Sequence, residues 1–275
     1  MMLSLQILGI SIQMLKRTSF MLLPVSILGL FAFTWPLFLP DLDNSFLHGD
    51  NAKYVAALLL PVALLLFLIE INHGALDARA VALLGVFSAI ISALRLVGAG
   101  AIGIEPIWFF LILVGRVFGP SFGFTLGIIS IFISGLISGG IGPWLAFQML
   151  AGAWVAMFAG LLPKRITGKM EIFLLTLYAV IATQVFGILM NLQLWPWLLG
   201  TDTQLSFVAG DLVLANLHRF FIFHVATSLA WDIPRAVFTV ILIITTATPI
   251  LVTLKRAKIK LSTKTSEHST SQKVA

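Results

Sequence analysis

The side chains best suited to recognise a polar ligand are Arg95, Glu105, Trp108, Trp144, Gln148, Asn191, Trp231, Asp232 and Arg235. Most of the chain around them is apolar. An ionisable group in such surroundings faces a cavity or a partner, because burying it alone is costly. Arg95 and Glu105 flank an uncharged, glycine-containing stretch, VGAGAIGI. They are placed either to close that loop as an ion pair or to line a ligand pocket. Trp144 and Gln148 are four residues apart, hence on one helix face, and Trp108 follows Glu105 by three. A polar group beside an aromatic wall is how small-molecule pockets are built. Asn191 adds a carboxamide at the end of an apolar run. In WDIPRA, Asp232 reads as the cap of a helix whose first turn holds Pro234. Trp195 and Trp197 suit an interfacial aromatic belt.

Reactive chemistry is poorly represented. The sequence has no GxxxxGK[ST] phosphate loop, no HExxH and no GxSxG. The absence of cysteine excludes disulfides, thiolate metal sites, Fe–S clusters and a cysteine nucleophile. His218 and His224, six apart, do not share a helical face. No catalytic residue, metal ligand or cofactor is expected, and the chain reads as a non-enzyme.

The elements that position these groups are transmembrane helices. Of the 275 residues 59% are hydrophobic and 10% charged, with a mean hydropathy of +1.06, far from the roughly one-quarter charged residues of soluble domains. Apolar runs long enough to cross or nearly cross a bilayer cover about 20–39, 54–71, 78–98, 106–118, 122–140, 144–162, 172–190 and 236–254. The expected fold is therefore all-α with about eight spans, the one at 106–118 conspicuously short. The stretch 212–230 is apolar but holds His218, Arg219 and His224, and reads as an interfacial or re-entrant helix.

Basic residues set the orientation. Lys16, Arg17, Arg79, Arg116, Lys164, Arg165, Lys169 and the KRAKIK run at 255–260 fall on one side if both termini are cytoplasmic. The net charge of +6 thus serves topology rather than nucleic-acid binding. The order of charge and apolar residues at the N-terminus is the reverse of a secretory signal. Three regions follow: 1–77 with two accessory spans, a six-helix core at 78–256, and a disordered basic tail at 257–275. Small residues also form stripes. Ala78, Ala82, Gly85 and Ala89 recur along the first core helix, and Gly115, Gly119, Gly123, Gly127, Gly135 and Gly139 form a ladder; both let helices approach closely.

The small-residue face at Ala78 and Ala82, the run EPIWFFLILVGRVFGPSFGFTLG (105–127) and the segment GGIGPWLAFQML (139–150) together resemble the substrate-specific (S) component of energy-coupling factor (ECF) vitamin transporters. The two leading spans are similar to an extension in some actinobacterial members. The resemblance implies a prokaryotic plasma-membrane protein that binds a vitamin or related micronutrient at its outer face, with cobalamin or a precursor the foremost candidate. It implies partners as well: a transmembrane coupling (T) subunit, contacted through Ala78, Ala82, Gly85 and Ala89, and two ABC ATPases that supply energy in trans. Set against this reading are a secondary transporter, which needs coupling-ion residues near the midplane, a lipid-modifying enzyme, which needs clustered Asp or His, and a membrane scaffold.

Overall fold

In the computed structural model, residues 22–35, 37, 61, 78–98, 102–198, 203–208 and 210–271 are described. They are helical, with no strand among them. The helices are α1 (Leu22–Trp35), α2 (Ala78–Val97), α3 (Ile107–Phe118), α4 (Pro120–Ser138), α5 (Leu145–Leu161), α6 (Lys169–Leu198) and α7 (Val213–Ser271). The expected span at 54–71 lies outside the described residues.

Among the described residues, four segments are long and apolar enough to cross a bilayer: Arg79–Val97, Pro120–Ser138, Lys169–Pro196 and Val213–Ile259. Their outer faces carry exposed apolar side chains at helical spacing, such as Phe173, Leu177, Ile181, Val185 and Ile188 on α6, and Ile233, Val237, Ile241 and Ile244 on α7. Continuous apolar stripes of this kind belong in lipid rather than water. The chain is a multi-pass helical membrane protein.

The short α3 is the centre of the bundle. Its 12 residues extend only about 18 Å, less than the roughly 30 Å hydrocarbon core. Ile107 to Val117 are all buried, and α3 packs against each of α2, α4, α5, α6 and α7. A helix apolar on every side is stable when enclosed by others, so α3 need not match the bilayer. It sits close to its neighbours because of the glycine ladder. A Cβ on Gly115 would strike the Ala156 carbonyl of α5, one on Gly123 would meet the same carbonyl, and one on Gly127 would meet the Ala153 backbone. Gly119, at φ 100°, turns the chain from α3 into α4, with Pro120 as the first residue of the new helix.

Side-chain pairings fix the helix directions. Ser92 and Arg95 of α2 meet Ser130 and Ser134 of α4, so these helices run parallel. Phe33 of α1 packs on Phe147 of α5 with ring centroids 5.0 Å apart, and Trp154 donates to Ser26, so α1 and α5 are antiparallel. The bundle therefore has two ends. One gathers Arg95, Glu105, Gln148 and Arg235. At the other, Arg116 donates to the carbonyls of Leu162 (2.7 Å), Pro163 (3.1 Å) and Ile166 (2.9 Å) and pairs with Glu171 at 2.9 Å. Lys255 joins Glu171 at 2.8 Å, and Lys258 caps the Val117 carbonyl at the end of α3.

Three expectations need correction. The stretch 212–230 is not a separate interfacial helix but the first part of α7, which continues through Pro234 and Pro249. The helix runs on to Ser271, where composition pointed to a disordered tail; residues 250–271 contain neither Gly nor Pro to stop it. Trp195 is not a belt residue. It is fully buried against Phe220 and Phe207, and its Nε1 donates to the Leu205 carbonyl at 2.7 Å. That small cluster, with Asn216 clasping Val208 through both backbone atoms, ties the 203–208 turn onto α7. At the exposed start of the same helix, a hydrogen bond from Arg219 holds the Asp211 carboxyl below the usual carboxylate range.

Gly115→Ala should destabilise the folded chain by about 1–3 kcal/mol, because the new methyl overpacks a backbone contact. Gly85→Ala should be neutral or slightly stabilising, since a Cβ there meets nothing within 4 Å among the described residues. Unfolding of the two variants in the same detergent measures the difference.

Candidate functional site

At the end of the bundle opposite Arg116, the helices part around a cavity of about 390 Å³. Its lining includes Arg95 from α2, Glu105 from the turn before α3, Ile107 and Trp108 from α3, Ile131 from α4, Gln148 from α5, Phe186 and Met190 from α6, and Trp231 and Arg235 from α7. Six helices and the turn before α3 thus contribute to one space. A second cavity of about 270 Å³ adjoins it between α6 and α7; Met190, Trp231 and Arg235 line both, and Asn191 and Asp232 line the second.

Arg235 is the electrostatic hub. Its Nε and Nη2 each lie 3.1 Å from one oxygen of Glu105, a two-point contact, and its Nη1 donates to Asp232. Its guanidinium also lies 5.2 Å from the centroid of the Phe186 ring. That ring in turn packs on Trp108 at 4.2 Å, and Trp108 Nε1 donates to Glu105. A planar guanidinium with two carboxylates and an aromatic face has most of its recognition capacity filled.

Local sequence explains how these groups meet. Gly103, at φ 68°, folds the turn so tightly onto α7 that a Cβ would meet Pro234 and the backbone of Trp231 and Arg235. Glu105 follows two residues later and so faces Arg235. On α6, Gly187 leaves room for the Asp232 carboxylate, which a side chain would occupy. Asp232 is 1% exposed; its Oδ2 accepts no hydrogen bond from a described residue and lies 3.8 Å from His224 Nε2. His224 Nδ1 meets Asn191 Nδ2 at 3.2 Å, and the same amide donates to Thr227 at 3.0 Å.

On the other side of the cavity, Arg95 donates to Ser134 Oγ and to Gln148 Oε1, both at 2.8 Å. Arg95 and Glu105 therefore share the cavity but form no ion pair with each other.

Of the nine residues singled out from sequence, eight line one cavity or the other. Trp144 does not. It precedes the first turn of α5, is 43% exposed, and leans back over Gly142. Four-residue spacing from Gln148 could not place it, because its side chain turns away before the helix begins. Asp232 is not a helix cap either; α7 begins at Val213, so Asp232 is interior and turns to Arg235. Sequence reasoning passed over Phe186, Met190 and Ser134, and set His224 aside for want of a shared face with His218. Ser134 was legible as a hydroxyl on the helix facing Arg95, whereas Phe186 and Met190 resemble any other apolar residue of α6. Among the described residues no group of three or more His, Asp or Glu comes together to hold a metal ion.

No protein-family model matches the chain, and neither a curated protein nor a solved structure does.

Arg235→Met should destabilise the protein by about 3–5 kcal/mol, because the buried Asp232 and the partly buried Glu105 would be left without their counter-charge. Adding Glu105→Gln and Asp232→Asn should recover part of that loss. Equilibrium unfolding of the single and triple variants tests this, and equal losses in both would contradict the assigned role.

Proposed function

We propose that this chain is a membrane-embedded substrate-binding subunit of the ECF S-component type, capturing a vitamin-like micronutrient from outside the cell. The observation that carries the reading is the 390 Å³ cavity with Arg95, Gln148, Glu105 and Arg235 converging on an aromatic floor. Binding sites for small molecules combine apolar walls with a few placed polar groups, in volumes of roughly 300–1,000 Å³. The cavity is at the lower end of that range, which favours a compact heteroaromatic ligand over a whole corrin macrocycle.

The outer face of α2 supports the partner assignment. Ala82, Gly85 and Ala89 are exposed, and a Cβ at Gly85 meets no described atom. The side chain of Ala78 lies outside the described residues. Such a face admits a second helix closely, as a coupling subunit requires, and two ABC ATPases would then supply energy in trans. In this reading the cavity end faces outward, both termini are cytoplasmic, and the membrane is the plasma membrane of a prokaryote. Along α7, Arg235 and Lys255 are about 30 Å apart on the helix axis, the thickness of a bilayer core. Their two ionic layers suit its two surfaces.

A secondary-transport reading draws on one feature, the buried Asp232 beside His224 and Asn191, since intramembrane carboxylates often carry coupling protons. Proteoliposomes of the chain alone separate the two readings. Solute accumulation driven by a pH gradient favours the secondary transporter, and binding without accumulation favours the S component.

The purified chain in detergent should melt at a higher temperature with one member of a vitamin panel that includes cobalamin and cobinamide, because a ligand of the folded state stabilises by mass action. The shift should vanish in Gln148→Ala and persist in Ala82→Leu. The latter should lose co-purification with a coupling subunit. A well-folded chain that responds to no compound would count against the binding role.

A further inference from the structure

Inside the bundle, guanidinium groups meet carboxylates: Arg116 has Glu171, and Arg235 has Glu105 and Asp232. Arg95 differs. It is half-buried, and its partners are the neutral Ser134 Oγ, Gln148 Oε1 and, at 3.5 Å, the Ile131 carbonyl. Among the described residues none forms an ion pair with it. Glu105 lines the same cavity but commits both of its oxygens to Arg235, and one also to Trp108. Neutral acceptors satisfy the N–H groups of Arg95 but give it no ion pair. The opposite charge that acts on it, Glu105 across the cavity, is held by Arg235. A desolvated charge gains from a counter-charge in direct contact.

Gln148 adds direction. A guanidinium only donates, so the carboxamide oxygen must be the atom facing Arg95. The Nε2 donors of Gln148 remain, and no described residue accepts from them. The cavity therefore has a cationic end with further N–H donors, an ionic hub in which Arg235 already holds two carboxylates, and an apolar wall of Ile107, Trp108, Phe186 and Met190.

We propose that the ligand of this cavity is an organic anion, whose carboxylate or phosphate oxygens bind Arg95 and the Gln148 amide while its ring system rests on the Trp108 and Phe186 wall. The assignment rests on the cavity being a ligand site, as in the function proposed above. It narrows the class of ligand from any micronutrient to an acidic one. A neutral or cationic compound of the same shape offers Arg95 no ion pair and must strip water from it.

The test is equilibrium binding to the full chain in phosphatidylcholine nanodiscs, with pairs that differ at one group: nicotinate and nicotinamide, biotin and biotinamide, thiamine monophosphate and thiamine. At least one acidic member should bind roughly ten- to hundredfold more tightly than its mate, the range expected for hydrogen bonds to a charged group. That comparison needs no variant. Arg95→Gln should then erase the preference, and Arg79→Gln should preserve it. Nanodiscs containing phosphatidylglycerol form the second arm. Lipid-dependent stabilisation that requires Arg95 and competes with the acids would support the anion site and assign its occupant to a lipid headgroup. Equal binding of both members of every pair would overturn the acidic-ligand inference while leaving the ligand site intact. Absence of binding by any pair or by the vitamin panel would overturn both.

Discussion

α3 can stand at the centre of the bundle only because Gly115 carries no side chain. Its backbone lies against the Ala156 carbonyl, and Gly123 on α4 approaches the same atom. Three helices thus meet at one point with almost nothing between their main chains. In lipid, where apolar surfaces gain little by leaving the solvent, this close packing is a principal source of association. Everything near the cavity inherits its position from that contact. Trp108 and Glu105 lie at one end of α3, Arg116 lies at the other, and the remaining core helices all lean on α3.

The same contact explains why the two ends differ. At the Arg116 end, α3 finishes against the turn that follows α5, and its guanidinium gathers three backbone carbonyls and Glu171. The space is filled and the charges are matched. At the other end, the helices separate and the gap is spanned by long side chains. Arg235 holds two carboxylates across it, and Arg95 reaches from α2 to both α4 and α5. A closed polar end and an open polar end distinguish the two faces of the bundle.

Much of this could be read from the sequence, within limits set by physics. Span positions follow from run length and hydropathy, which depend on local composition, and α2, α4 and α5 fall where the runs predicted them. The glycine ladder was legible because small residues at helical spacing have few other uses in lipid. Partner choice was not. Arg95 and Glu105 are neighbours in sequence with opposite charges, yet Glu105 turns to Arg235, which is 130 residues away. Only the fold of Gly103 onto α7 decides this. The start of α7 was misjudged for a related reason: His218, Arg219 and His224 resemble interface residues by type, and Pro234 resembles a helix start. Apolar packing of Phe220 and Phe223 against Trp195 carries the helix through both signals. Trp144 shows the converse, since helical spacing applies only to residues already inside the helix.

The length of α7 has a mechanical consequence. Pro234, like Pro249 further along, supplies no N–H to the carbonyl one turn earlier, so the rod is weakened beside the cavity. From there to Val213 it extends about 32 Å. A lever of that length moves its tip by about 0.5 Å for each degree of bend at the fulcrum, by the same helix geometry. A bend of a few degrees there would displace the tip, where Asn216 and Trp195 hold the 203–208 turn, by an ångström or two.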